Sequence, residues 1–305
     1  MKAVRFDHYG GVEVLEVREV EQPVPAPGEV LVAVKAAAIN PGEIAIREGY
    51  LDARFPATFP SGEGTDFAGV VEEVGAGVES VAAGHSVIGW SERRSSHAEF
   101  VAVPAEQLTA KPDGLAWEVA GSLFVAGMAA YAGVQAVAPA PGEVVVVSGA
   151  AGGVGSIAVQ LAVRSGATVI GLASEGNHAW LRDHGVIAVT YGDGQAERIG
   201  AASGGHIDAF IDTFGGGYVD LAVSLGVPVE RINTIADFEA IERLGVHGEG
   251  THAVGTSELL AQLAALAADG SVEVPIARTF PLVQVRDAFD ELALRKTHGK
   301  IVLIP

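Results

Sequence analysis

The run VVVVSGAAGGVGSIAVQLA, residues 144–162, decides the fold. A strand buried on both faces enters a glycine-rich turn, and the turn opens a helix. Gly152 allows the backbone to approach a bound group closely, and Gly155 lets the new helix pack against the strand it leaves. The amides at the helix start have no acceptor of their own and face outward as an anion site. Strand, glycine turn and helix in this order form the fingerprint of a dinucleotide pyrophosphate site, although Ala150 stands where the first glycine of GxGxxG belongs. The residues expected to hold the pyrophosphate are Ala151, Gly152, Gly153, Val154 and Gly155.

Working outward, residues 168–173, 186–190, 207–212 and 231–235 read as further strands separated by helical stretches, so the central chain is a doubly wound parallel sheet. Upstream the character differs. Residues 3–6, 12–20, 29–38, 66–74, 86–90 and 97–103 are β-rich runs bounded by Gly, Pro and Asp, which predicts a mainly antiparallel domain. Residues 115–137 are rich in alanine and carry apolar residues at helical spacing, and a helical pair follows. A helix at 257–269, strand-like sequence at 272–280, a helix at 283–294 and a last strand at 300–304 complete the chain, and this tail is expected to rejoin the first domain. The predicted division is 1–114 with 271–305, around a central domain of 115–270.

Composition limits the chemistry. The chain has 305 residues, 49% hydrophobic and 19% charged, enough apolar material for two compact domains. Cysteine is absent, which excludes disulfides, thiolate nucleophiles and cysteine zinc sites. A formal net charge of -19 repels polyanions, so neither nucleic acid nor an anionic membrane is an expected partner. No leader or bilayer-spanning run is evident, and a cytoplasmic location is expected.

At the end of the second central strand an NAD site usually carries Asp or Glu for the ribose hydroxyls. Here the strand ends in Ala173 and Ser174. A small hydroxyl residue leaves room for a 2′-phosphate, and Asn177 and His178 can donate to it, so NADPH is the expected cofactor. Glu175 argues the other way, and the alternative for Ser174 is that it starts or caps the next helix.

The order of six segments resembles the zinc-free quinone oxidoreductases, the zeta-crystallin-like branch of the medium-chain dehydrogenase/reductase superfamily. They are AAAINPGEIAIREG (36–49), GTDFAGVVEEVGAGV (64–78), HAEFVAV (97–103), SGAAGGVG (148–155), ASEGNHAWLRDHGV (173–186), and ARTFPL (277–282) with GKIVL (299–303). The resemblance implies a GroES-like catalytic β domain built from both chain ends, a central Rossmann domain, and commonly a homodimer. It also implies a hydride passed from NADPH to a small-molecule quinone or α,β-unsaturated carbonyl. Where zinc-dependent relatives place Cys and a His-Glu pair, this chain has Asn40, Thr65 and Asp66, so no metal is expected.

Asn40, Arg47 and Tyr50 are the catalytic candidates: by the same resemblance Asn40 lies near the nicotinamide ribose, and Arg47 matches the RxG segment, where a structural pairing with an acid is the alternative. Tyr50 is the best proton-donor candidate, shifted by a residue from the positions taken by Ala45 and Leu51. Ala129 stands where a threonine usually meets the nicotinamide amide. Thr213, Phe214, Gly215, Thr234 and Ile235, at strand ends on the carboxyl edge of the sheet, are further cofactor candidates. Two alternatives stay open: a dedicated enoyl reductase of a biosynthetic pathway, and a non-catalytic NADPH-binding or sensing protein.

Overall fold

The computed structural model describes all 305 residues. The chain divides into two compact units: Met1–Val125 with Thr256–Ser271 and Pro275–Pro305, and Ala126–Gly255 with Val272–Val274. The first contains β1 (Lys2–Phe6), β2 (Glu16–Glu19), β3 (Glu29–Ala38), α1 (Pro41–Arg47), β4 (Ser61–Gly62), β5 (Asp66–Val74), β6 (Ser86–Trp90), β7 (Phe100–Pro104), β8 (Leu108–Ala110), α2 (Trp117–Ala120) and the first turn of α3 (Leu123–Val137). In the second follow β9 (Val144–Ser148), α4 (Gly155–Arg164), β10 (Thr168–Ala173), α5 (His178–Asp183), β11 (Ile187–Thr190), α6 (Gln195–Ser203), β12 (Ala209–Asp212), α7 (Tyr218–Ser224), β13 (Ile232–Thr234), α8 (Phe238–Leu244) and α9 (Thr251–Val254). The chain then returns to the first unit with α10 (Ser257–Ala268), β14 (Ile276–Pro281), α11 (Val285–Ala293) and β15 (Lys300–Ile304).

In the first unit β3 is central. It pairs antiparallel with β5, β7 and β15, and β14 lies parallel to β15. Strands β2, β1 and β4 form a separate three-stranded sheet. Phe6, Leu15 and Ile39 from the beginning of the chain share one apolar core with Phe280, Phe289 and Leu303 from its end. Burying such side chains stabilises each by about 1.5–3 kcal/mol, which is why the tail closes on this unit.

Three local readings and the placement of one helix are corrected. The run 12–20 is not one strand: a single helical turn covers Val12–Val14 and β2 begins at Glu16, because Leu15 turns into the core between them. Residues 97–99 precede β7 rather than opening it, since the His97 backbone pairs with Glu63 and Val4 and the Ala98 amide turns back to Ser96; the buried His97 ring meets the Ala38 carbonyl. The helical pair expected at 115–137 is present as α2 and α3, divided at Gly121, where a Cβ would come within 2.4 Å of the Ala36 carbonyl oxygen; close packing on β3 demands a glycine there. The run 272–280 is split by Pro275, which lacks an amide for a ladder. Glu273 is held in the second unit instead, its amide and carbonyl paired with the side chain of Gln160 at 2.8 and 2.7 Å. Helix α10, read with the central domain from sequence, lies in the first unit with Leu259, Leu260 and Leu263 buried.

The second unit is a five-stranded parallel sheet in the order β11-β10-β9-β12-β13, flanked by helices. Its core contains Val146, Ile170, Leu172, Phe210 and Ile232. The connection reverses direction between β9 and β12, which makes the carboxyl ends of these two strands the topological switch point where open α/β sheets bind ligands.

Candidate functional site

The glycine turn sits at that switch point, between β9 and α4. Gly149 has φ +58°, and a Cβ on Gly155 would lie 2.1 Å from the Gly149 carbonyl oxygen, so the fingerprint's last glycine is obligatory for helix-on-strand packing. Ala150 is fully buried, and its methyl packs against the backbone of Gly171 on β10, where a Cβ would come within 2.9 Å. An alanine therefore fills the place of the first glycine because β10 supplies the missing one. The Gly152 and Ser156 amides are taken up by the carbonyls of Gly149 and Gly152, whereas those of Gly153, Val154 and Gly155 meet no backbone acceptor. No side chain caps α4. Three free amides at the positive end of a ten-residue helix fit a pyrophosphate.

Around this turn the strand ends are tied together by one carboxylate. Asp212, fully buried at the end of β12, accepts from Ser148 Oγ at 2.5 Å, Thr234 Oγ1 at 2.7 Å, and the amides of Phe214 and Gly215 at 3.0 and 2.9 Å. The Thr213 amide in turn donates to Ser148 Oγ at 3.0 Å, and the Thr213 hydroxyl to the Ser148 carbonyl at 2.7 Å. Thr234 Oγ1 accepts from the amides of Ala236 and Asp237. Thr213, Phe214, Gly215 and Thr234 are thus brought together, and the Ile235 amide joins them through the Asp212 carbonyl at 3.1 Å. Sequence reasoning missed Ser148 and Asp212, the centre of the arrangement; the available signal was a polar residue closing each of two strands of apolar character.

At the end of β10, Ser174 Oγ accepts from Asn177 Nδ2 at 3.1 Å, and the His178 ring meets the Ala173 carbonyl at 3.4 Å. The exposed Glu175 begins a short helical turn. Ser174, Asn177 and His178 therefore lie together. Ala129 is buried in α3.

In the first unit Asn40 ends the chain's passage from β3 and caps α1. Its amide nitrogen Nδ2 donates to Glu43 Oε1 at 3.2 Å and Asp66 Oδ2 at 3.0 Å, and its Oδ1 accepts from Lys300 Nζ at 2.5 Å. Only 4% of Asn40 is exposed, and both Nδ2 protons are spent inside the protein. Lys300 Nζ also donates to the Ile39 carbonyl at 3.2 Å and lies 3.6 Å from Asp66, whose other oxygen accepts from the Val125 amide at 2.7 Å. Burial raises the carboxyls of Asp66 and Glu43 above their ordinary range, with Lys300 opposing the shift in both. Arg47 is also buried, 3.5 Å from Glu63, with its guanidinium over the Phe289 ring. Burial and the Glu43 charge push the Glu63 carboxyl up to about 8 against the pull of Arg47. Burial lowers His97 to about 4 despite its bond to the Ala38 carbonyl. Tyr50 stands apart from all of these, 80% exposed. Sequence reading found Asn40 and Arg47 but not Glu43, Glu63 or Lys300. No three or more His, Asp or Glu side chains are gathered as a metal-ligand group.

An antiparallel β unit joined to a parallel-sheet unit with a pyrophosphate-type turn at its switch point defines a dinucleotide-linked dehydrogenase or reductase fold. Residues 26–142 match the Alcohol dehydrogenase GroES-like domain family, and residues 183–303 match the Zinc-binding dehydrogenase family. A quinone oxidoreductase of Pseudomonas aeruginosa is 29% identical, covering 100% of this chain and 99% of that protein. The quinone oxidoreductase structure from Coxiella burnetii superimposes with a TM-score of 0.90 at 29% identity, covering 100% of this chain and 99% of that one. A mycocerosic acid synthase-like polyketide synthase of Mycobacterium tuberculosis is 30% identical over 96% of this chain, which spans 15% of that larger protein. The chain belongs to the medium-chain dehydrogenase/reductase superfamily of oxidoreductases, and quinone oxidoreductases are among its homologues and structural neighbours.

Proposed function

We propose that this chain is an NADPH-dependent oxidoreductase that passes a hydride to a quinone or an α,β-unsaturated carbonyl without a metal. The observation that carries the reading is the trio of free amides at Gly153, Val154 and Gly155, held at a helix start and a sheet switch point. Ala151 and Gly152 complete the cradle. NADPH rather than NADH is favoured because the second strand of the unit is followed directly by Ser174, bonded to Asn177, where an NAD site carries an acid, and Glu175 one residue on is exposed. When bound, the dinucleotide supplies the hydride; the chain's own task is to orient it, position an acceptor and polarise a carbonyl.

Within that task Thr213, Phe214, Gly215, Thr234 and Ile235 line the cofactor side, with Ala129 near the nicotinamide. Asn40 has spent its amide protons, so what it offers a ribose is the second lone pair of Oδ1. Arg47 shapes the turn into Gly49 through Glu63 and the Gly11 carbonyl. Tyr50, with its hydroxyl open to solvent, serves as the proton donor or is replaced there by water. Metal-free chemistry is supported by the donor set: Asp66, the acid at the position of the zinc relatives' glutamate, already faces the Lys300 ammonium.

Stopped-flow measurement of NADPH oxidation against simple quinones and enones tests the proposal. Turnover of at least one class is expected, and no turnover across a broad panel contradicts it. The polyketide synthase match supports a second reading, an enoyl reductase of a biosynthetic pathway. Reduction of thioester enones with simple quinones left untouched would select it.

A further inference from the structure

We propose that Asp212 is a positioning residue for the dinucleotide: its carboxylate fixes the loops after β9, β12 and β13 in one arrangement at the switch point. This rests on the cofactor reading above and goes beyond it, since Asp212 itself is fully buried and need not touch the ligand.

Three observations carry it. First, the carboxylate collects donors from three separate strand ends: Ser148 on β9, Phe214 and Gly215 after β12, and Thr234 on β13. A single group that satisfies all of them leaves each loop with one permitted position relative to the others. Second, the tie reaches the glycine turn directly. Ser148 precedes Gly149, and Thr213, bonded to Ser148 at both its amide and its hydroxyl, lies so close that a Cβ on Gly149 would come within 2.9 Å of Thr213 Oγ1. Third, Gly215, Gly216 and Gly217 all have positive φ, at +77°, +70° and +88°. Three successive left-handed residues have little intrinsic preference for one shape, so the Asp212 bonds to the Phe214 and Gly215 amides set where this loop begins.

The arrangement separates orienting from stabilising. A residue that only stabilises the unit lowers the fraction of active protein, so the maximal rate falls while KM values stay as they were. A positioning residue acts on the ligand that its loops meet. Asp212→Asn, Ser148→Ala and Thr234→Val are therefore expected to raise the KM and the calorimetric Kd for NADPH, about tenfold for Asp212→Asn and less for the other two. The KM for the acceptor is expected to stay within twofold. In a double-variant cycle, Ser148→Ala should cost less in the Asp212→Asn background than in the wild type, because the bond to the carboxylate is already weakened while the bond from the Thr213 amide to Ser148 Oγ is lost in both backgrounds.

The test uses the full chain with NADPH and NADH as probes in calorimetry and steady-state kinetics. If Asp212→Asn does not fold, Ser148→Ala and Thr234→Val carry the measurement, each removing one tie. Wild-type protein that binds NADPH while all folded variants bind within twofold of it overturns the positioning role alone. Changes confined to the maximal rate, with every KM unchanged, overturn it as well. Wild-type protein that binds neither dinucleotide removes the cofactor reading, and the positioning role with it.

Discussion

Each unit buries a polar knot, and the two are built on opposite electrical principles. In the second unit one carboxylate, Asp212, is surrounded by neutral donors: two hydroxyls and two backbone amides. In the first, Asn40 is clasped by Glu43, Asp66 and Lys300, so two acids depend on one cation. A neutral-donor knot can lose a single member and keep the rest. A charged one cannot, because removing the cation strands buried carboxylates that burial already pushes towards protonation. The lesson is that the first knot holds the unit together, while the second, at the switch point, can tune loop geometry.

The sharpest way to break the contrast is Lys300→Met. It should cost about 4 kcal/mol in urea unfolding, the scale for losing one partner of a buried pair. Adding Asp66→Asn to Lys300→Met should recover part of that loss. A loss below about 1 kcal/mol would mean the charges are solvated, contrary to their burial.

Acid should also single out the first unit. Burial holds the folded-state pKa of His97 at about 4, below its ordinary value of 6.5. The folded protein then binds fewer protons than the unfolded chain between these values. Stability from this group is complete above pH 6.5 and is lost as pH falls through the window towards 4, on the order of 3 kcal/mol in all. His97→Gln should flatten this acid limb in pH-dependent melting curves, and an unchanged limb would assign it to other groups.

In the second knot a single thread should matter less. Thr234→Val removes one charge-assisted bond at nearly constant shape and is expected to cost about 2 kcal/mol by chemical denaturation. A cost as large as that of Lys300→Met would erase the distinction between the knots. Smallest of all is Tyr50→Phe. With the ring largely exposed, stability should move by no more than about 0.5 kcal/mol. Any fall in turnover in that variant then reports proton donation, and unchanged turnover at all pH values assigns the proton to water.

The same contrast explains what could be read in advance. The turn at 144–162 was legible because strand, glycines and helix are contiguous, and the geometry of Gly155 against Gly149 follows from nineteen adjacent residues. The alternation of strands and helices after it was legible for the same reason. The knots were not. Lys300 meets Asn40 across 260 positions, and Ser148 meets Asp212 across 64, distances over which no local period carries information. Asn40 was read for the nicotinamide ribose, yet Pro41 and Glu43 behind it already spelled a helix start with a capping acid, and the structure has that box. The point at which the pair in 115–137 divides was equally out of reach, because the atom that forbids a Cβ at Gly121 belongs to Ala36.

The central claim is that the amides of Gly153, Val154 and Gly155 grip a dinucleotide pyrophosphate. Isothermal titration of the folded wild-type chain with NADPH and with NADH tests it most directly. Saturable binding of one dinucleotide per chain, tighter for NADPH, is the predicted result; no heat of binding with either, on protein whose circular dichroism and melting show it folded, would contradict the account.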